Sequence, residues 1–142
     1  MKKVQINQQL SISGQITLEE ITELAQHGIK TLICNRPDGE EPNQLAASQI
    51  KAAAEKMGIK FVNIPVPGRV IPESSLNEFI EALKNTDDKV HAYCRTGMRS
   101  SIFWGLSKAK QKSVNEVLSE AKSLGFDLSP VTEQLEIAHQ FN

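Results

Sequence analysis

The chain has 142 residues, a formal net charge of −1 and 39% hydrophobic residues. A chain of this length buries about 68–70% of its unfolded surface. A single domain over residues 1–142 is therefore expected to form a core without disulfides or a structural metal. Because the net charge is close to zero, no global field draws the protein to nucleic acid or to an anionic membrane. With one Trp, one Tyr and no basic stripe, no nucleic-acid partner is expected.

Cysteine usage and the N-terminus favour a cytoplasmic protein. The two cysteines, Cys34 and Cys94, are too few for a disulfide framework. The N-terminus lacks the apolar stretch of a signal peptide, and no apolar run approaches the ~18 residues that a membrane span needs, so no membrane partner is expected. The three histidines have no metal-ligand spacing, so neither a metal nor another cofactor is expected.

Strand and helix patterns alternate along the chain. A strand is predicted at 10–13, then a helix that starts at the capping box of Thr17 and Glu20 and stops at Gly28. The remaining strands are predicted at 31–34, 61–66 and 90–93. The remaining helices are predicted at 45–57, around 76–83, at about 99–111, at 114–124 with Ser113 and Glu116 as caps, and at 130–140 with Pro130 in first position.

This order predicts an α/β fold of three layers, in which helices cover both faces of a mostly parallel sheet of four to five strands. Ligands of such folds bind outside the carboxyl ends of the strands. The irregular loops 35–44, 67–72 and 94–100 all leave such ends. The three loops are therefore predicted to border one crevice.

The strongest signal for chemistry is the loop after the last strand. An apolar strand stops at Cys94, a loop with one glycine and two arginines follows, and a helix starts near Arg99. Backbone N–H groups at a helix N-terminus bind anions, and the same field favours a thiolate. Cys94 is therefore predicted to be a nucleophile in an anion-binding loop, which indicates an enzyme. The loop residues expected to contact the anion are Arg95, Thr96, Gly97, Met98 and Ser100.

Some roles within this loop stay open. Arg99 is preferred as the bidentate clamp because of its position, whereas Arg95 either points to solvent or reaches a substrate tail. Gly97 is expected to allow a positive φ or a close backbone approach. Ser100 and Ser101 either hydrogen-bond the sulfur or are ordinary residues of the first helical turn.

The loop at 35–44 supplies further candidates. Asp38 is the best candidate for a general acid, although Pro37-Asp38-Gly39 is also ordinary turn chemistry. Arg36 either adds positive charge to the anion site or pairs with Glu40 or Glu41. Cys34 is either a small buried hydrophobe or a redox partner that forms a reversible disulfide with Cys94.

Four stretches of the chain resemble a bacterial family, the phosphatase-like domain of beta-lactamase hydrolase-like proteins, formerly a domain of unknown function. They are residues 13–15 (SGQ), 33–41 (ICNRPDGEE), 64–66 (IPV) and 92–100 (AYCRTGMRS). The resemblance implies a fold like that of tyrosine and dual-specificity phosphatases. Since some members are interpreted as phosphatases and others as sulfurtransferases, the resemblance leaves the reaction open.

Two departures from the wider superfamily bear on the reaction. Its phosphatases carry Cys-x5-Arg, usually preceded by His, whereas here Tyr93 precedes Cys94 and Arg99 is the fifth residue after it. That spacing is similar to the six-residue loop of rhodaneses. The aspartic acid that often follows an Ile-Pro-Val-like strand end is also absent after Val66.

Three hypotheses follow. In the first, Cys94 takes a phosphoryl group from a small phosphate ester, and water hydrolyses the intermediate. In the second, Cys94 carries a persulfide, taking sulfane sulfur from thiosulfate or a persulfide and passing it to a low-molecular-weight thiol such as glutathione. In the third, the chain is a non-catalytic module that binds an oxyanion on a partner.

Overall fold

The computed structural model describes residues 1–141, which form five strands and six α-helices. In chain order they are β1 (Lys3–Gln5), β2 (Leu10–Ser13), α1 (Leu18–Gln26), β3 (Ile29–Cys34), α2 (Ala47–Lys56), β4 (Lys60–Asn63), α3 (Glu73–Lys84), β5 (Lys89–Tyr93), α4 (Met98–Ala109), α5 (Val114–Ser123) and α6 (Thr132–Gln140). A 3₁₀ turn at Ser129–Val131 precedes α6.

The sheet order is β1-β2-β5-β3-β4, with β1 antiparallel to β2 and every other pair parallel. Strand β5 is central, and its last residue, Tyr93, is paired in register with Ser13 on one side and Cys34 on the other. The carboxyl ends of β2, β5 and β3 therefore lie side by side, so the segments that follow them meet at one edge of the sheet.

The two faces of the sheet are covered by different helices. Helices α1 and α2 pack on one face against strand residues such as Leu32 and Tyr93. Helices α3, α4, α5 and α6 pack on the other face against Ile33 and Ala92, which alternate with those residues along the same strands. The result is the three-layer α/β architecture that the strand and helix pattern predicts.

Helix α4, which follows the Cys94 loop, is the most enclosed helix of the fold. Its residues from Ser100 to Leu106 are all buried. A Cβ at Gly105 would lie only 2.6 Å from Leu128 Cδ1, so the glycine lets the segment before α6 approach closely. The start of α4 is thus held in a packed core, which fixes the loop before it.

The predicted fold class is confirmed, with differences at the edges. Strand β1 was not predicted, because it is a three-residue edge strand with no apolar alternation. Strand β4 ends at Asn63 rather than 66, ahead of Pro65. Pro130 lies in the 3₁₀ turn, so α6 begins at Thr132 and not at 130. Across residues 1–141, none of the helices combines the length and the apolar character needed to cross a bilayer.

Candidate active site

Cys94 lies directly after β5, at the base of the loop that leads into α4. Its side chain is buried, and the Gly97 N–H donates to Cys94 Sγ over 3.1 Å. Gly97 has φ 93° and is the N-cap of α4, a left-handed conformation that favours glycine. This turn therefore aims a backbone N–H donor at the Cys94 sulfur.

The same loop offers further backbone donors. The N–H groups of Arg95, Thr96, Arg99 and Ser100 donate no hydrogen bond to any atom of residues 1–141. The last two belong to the first turn of α4, where N–H groups point out of the helix along its axis. Free donors beside the positive end of a buried helix make this loop suitable for an oxyanion.

Arg99 is held so that one edge of its guanidinium stays free. Its Nη1 donates to Glu40 Oε2 over 2.7 Å and to Val66 O over 2.9 Å, and its Nη2 donates to Glu40 Oε1 over 2.8 Å. Three of the five guanidinium N–H donors are therefore used, and the edge formed by Nε and Nη2 retains two. That edge is the one that binds an oxyanion side-on.

Charges around Arg99 keep it ionised. Its hydrogen bonds to Glu40 raise the pKa of Arg99, burial opposes this shift, and the Cys94 sulfur nearby raises it again. In return, the hydrogen bond from Arg99, followed by that from Arg36, lowers the pKa of Glu40 to about 2 despite some burial. Glu40 is thus an ionised carboxylate that positions Arg99 beside Cys94.

The two glutamates of the loop at 35–44 join three arginines into one network. Arg36 Nε donates to Glu40 over 2.9 Å and Arg36 Nη2 to Glu41 over 2.7 Å, while Arg95 Nε lies 3.1 Å from Glu41. Arg36 is only 4% exposed. Of its two predicted roles, the structure therefore shows the ion pair with the glutamates. From the sequence the glutamates are expected only as partners of Arg36, and the contact of Glu40 with Arg99 was not predicted.

The end of β2 supports the loop from the other side. The Gln15 N–H donates to Arg95 O over 3.1 Å, and Gln15 Oε1 accepts from Arg36 Nη1 over 2.9 Å. A Cβ at Gly14 would lie 2.8 Å from Arg95 O. Only glycine permits this approach, so Gly14 and Gln15 position the loop. Both lie in residues 13–15, one of the four stretches that resemble the family, and this resemblance is the sequence feature that could have identified them as site residues.

A buried histidine ties β2 to β5 just before the site. His91 Nδ1 lies 2.7 Å from Ser11 Oγ, and His91 Nε2 lies 2.7 Å from Ser13 Oγ. Since Ser13 Oγ donates to Gly14 O, it accepts from His91 Nε2–H, and Nδ1 then accepts from Ser11. Burial lowers the pKa of His91 to about 3, so the ring is neutral and serves as a hydrogen-bonded bridge.

Three other predicted site residues form hydrogen bonds with groups other than the Cys94 sulfur. Asp38 is exposed, and its Oδ1 accepts from the Ala47 N–H over 2.8 Å. Asp38 therefore caps the N-terminus of α2. The Ser100 hydroxyl donates to Asn35 Oδ1, and the Ser101 hydroxyl donates to Met98 O. The two serine hydroxyls thus stabilise the loop and the first turn of α4, and neither donates to the Cys94 sulfur.

Cys34 is free and buried, and its Sγ donates to Arg36 O over 3.3 Å. Burial raises the pKa of its thiol. It packs with Tyr93 in the core on the α1 and α2 face. The thiol is therefore engaged with the backbone after β3, which is the environment of a core cysteine.

Two of the three predicted loops meet at Cys94. Loop 35–44 reaches it through Glu40 and Glu41, as the ion pairs with Arg99 and Arg95 show. Loop 67–72 contributes less, because within residues 1–141 the hydrogen bond from Arg99 on this side goes to Val66 O, which precedes the loop. The side chain of Gln134 in α6 binds the rest of this loop, accepting from the Ile71 N–H and donating to Arg69 O.

The fold and the loop together define a phosphatase-like domain. Residues 3–111 match the family described as "Beta-lactamase hydrolase-like protein, phosphatase-like domain", and the chain belongs to this family. It is 35% identical over 138 residues to a beta-lactamase hydrolase-like protein of Agrobacterium fabrum, covering 96% of this chain and 32% of that protein. The chain thus spans about a third of the length of this curated relative.

Solved structures agree with this assignment. A candidate phosphatase from Neisseria meningitidis is 37% identical, with a TM-score of 0.84 over 95% of this chain and 96% of that one. A kinase-associated phosphatase whose catalytic cysteine is replaced by serine is 16% identical, with a TM-score of 0.76 over 93% of this chain and 84% of that one. At that identity the likeness shows the fold alone, which is of the tyrosine and dual-specificity phosphatase type.

Proposed function

We propose that the protein is a cysteine-dependent phosphatase that acts on a small phosphate ester through a covalent intermediate on Cys94. One observation carries the proposal. The Cys94 sulfur accepts the Gly97 N–H beside an arginine whose Nε and Nη2 edge is free. Membership of a phosphatase-like family supports the same reaction.

Each part of the site has a role in this reaction. The thiolate of Cys94 attacks phosphorus and the P–O bond to the leaving group breaks, its electron pair going to the leaving oxygen, while the free loop N–H groups and Arg99 bind the phosphoryl oxygens. Water then attacks phosphorus, and the sulfur leaves as a thiolate that the Gly97 N–H stabilises. Glu40 acts as a positioning residue, because it fixes the direction of the Arg99 guanidinium.

A second candidate function is supported by the length of the loop. Arg99 is the fifth residue after Cys94, so the cradle is one residue shorter than in Cys-x5-Arg phosphatases. A smaller cradle suits a terminal sulfur on Cys94, which the free N–H groups would stabilise as a persulfide. In this function the substrate is thiosulfate or a persulfide, and the acceptor is a low-molecular-weight thiol.

A paired assay on the wild type and Cys94→Ser separates these functions. One arm measures phosphate release from 4-nitrophenyl phosphate, and the other measures thiocyanate formation from thiosulfate and cyanide. We expect turnover in the phosphate arm, lost in Cys94→Ser. Turnover in the sulfur arm alone would establish the sulfurtransferase instead. Phosphate binding without turnover in either arm would favour a non-catalytic anion-binding module.

A further inference from the structure

We propose that the site acts only on phosphoryl donors whose leaving group departs as a stable anion, without a proton from the protein. Acyl phosphates, phosphoanhydrides and aryl phosphates with a weakly basic phenoxide, such as 4-nitrophenyl phosphate, meet this condition, whereas phenyl phosphate and alkyl phosphates do not. The inference rests on the proposed phosphatase function and narrows its substrate class. It follows from how the carboxylates around Cys94 are bound.

The leaving oxygen of an alkyl ester is strongly basic and needs a proton as the P–O bond breaks. A positioned general acid typically contributes about 10²–10⁴-fold to such a step. That acid must reach the leaving oxygen and must carry a proton in the complex. A carboxyl group whose oxygens already accept a backbone N–H or pair with arginine is directed toward those partners and away from a leaving oxygen, so it does not meet the first condition.

All three acidic residues of the loop at 35–44 are bound in this way. Asp38 accepts from the Ala47 N–H at the start of α2. Glu40 accepts from Arg36 and from both terminal nitrogens of Arg99, contacts that hold it ionised. Glu41 accepts from Arg36 and is paired with Arg95. None of the three is arranged as a proton donor.

The other sides of the site offer no better carboxyl. Loop 67–72 contains no acidic residue. Glu20, which lines a cavity with Gly14 and Arg95, accepts from the Thr17 N–H in the capping box of α1. Asp127, which lies near Met98, accepts from the Ser129 N–H, and its hydrogen bonds with Ser129 lower its pKa.

The remaining titratable groups are enclosed or distant. Both ring nitrogens of His91 are hydrogen-bonded to serines inside the sheet. Tyr93 is buried, and burial raises the pKa of its hydroxyl. His139 is bound to Ala109 O, at the far end of α4. Lys2 lines the cavity beside Arg95, and its ammonium group is a further candidate proton donor that the test must address.

The reaction balances without a protein acid. The Cys94 thiolate forms the S–P bond, and the electron pair of the breaking P–O bond leaves on the aryloxide, carboxylate or phosphate. Water then forms a new P–O bond, the S–P electron pair returns to sulfur, and both protons of the water stay on the released dihydrogen phosphate. No other co-reactant is needed.

The experiment compares kcat/KM of the wild type for 4-nitrophenyl phosphate, phenyl phosphate, acetyl phosphate and an alkyl phosphate, with Cys94→Ser as the blank. We expect hydrolysis of 4-nitrophenyl and acetyl phosphate. Phenyl phosphate is expected to react at least about 10²-fold more slowly, the smallest usual contribution of a general acid. Rates for phenyl and 4-nitrophenyl phosphate within tenfold of each other would refute the inference while leaving the phosphatase function intact.

Amide variants then test each candidate proton donor, three carboxyl groups and the Lys2 ammonium. In Asp38→Asn, Glu40→Gln, Glu41→Gln and Lys2→Gln, any loss is expected to be equal for phenyl and 4-nitrophenyl phosphate. A variant that loses over tenfold more with phenyl phosphate would identify a general acid and overturn the inference. Failure of the wild type on every donor would contradict both the inference and the proposed function, whereas equal activity of Cys94→Ser would contradict the covalent mechanism alone.

Discussion

Gly14→Ala tests how tightly the end of β2 positions the Cys94 loop. An alanine Cβ would lie 2.8 Å from Arg95 O, whereas ordinary contact begins at 3.4 Å, so the loop must move by about 0.6 Å. The contact is with backbone, which cannot rotate away as a side chain can. The movement also strains the hydrogen bond from the Gln15 N–H to Arg95 O.

The expected effect on catalysis is larger than that on stability. A misplacement of about 1 Å costs roughly 10²-fold in rate, so a shift of this size should lower kcat for 4-nitrophenyl phosphate about tenfold. Weakening one hydrogen bond costs about 1 kcal/mol, which lowers the melting temperature by only a few degrees. Steady-state kinetics and thermal unfolding measure the two effects separately.

Gly68→Ala is the matched control. Gly68 also lies in a loop beside the site, but a Cβ there meets no atom within 4 Å and its φ is not positive. We expect unchanged kcat and a slightly higher stability, because alanine restricts the unfolded chain. The reasoning fails if Gly14→Ala retains kcat within twofold of the wild type, or if Gly68→Ala loses as much.

Three further predictions concern stability, anion binding and a remote cap. Burial lowers the pKa of His91 to about 3 in the folded protein, against an ordinary value of 6.5. Between these pH values the imidazole is protonated in the unfolded chain and neutral in the folded one, so the free energy of unfolding falls as the pH drops below 6.5. Unfolding in urea should show a loss of about 2 kcal/mol between pH 7 and pH 5 that is smaller in His91→Gln. Arg99→Lys keeps the charge but loses the side-on edge, so calorimetry should show phosphate binding weakened about 10–100-fold, and unchanged binding would contradict the clamp. The Ser113 hydroxyl accepts from the Glu116 N–H at the start of α5. Ser113→Ala should lower the free energy of unfolding by about 1 kcal/mol and leave kcat unchanged.

Local patterns in the sequence were sufficient for the class of fold. The capping box at Thr17 and the cap at Ser113 predict helix starts that the structure confirms. Such caps can be predicted because they depend on residues three positions apart. The strand endings at Cys34 and Tyr93 likewise follow from short apolar runs and the polar segments after them. With alternating strands and helices, these signals lead to a covered parallel sheet.

The arrangement of the site required tertiary structure. The Arg99 contact with Glu40 joins residues 59 positions apart, and the His91 bridge to Ser11 joins residues 80 apart. Such pairs leave no periodic trace in the sequence, so the sequence predicts Asp38 as the site carboxylate, and the contact of Glu40 with Arg99 follows only from the loop geometry.

The sequence by itself determined that a strand ends just before Cys94 and that a helix begins after a short loop, because both depend on neighbours in the chain. Only the tertiary structure decided which side chains surround that loop. The parallel register of β2, β5 and β3 brings Gly14, Cys94 and the loop of Glu40 to one edge. Packing of strands over long sequence separations thus fixes which edge of Arg99 is free and which carboxylates are already bound.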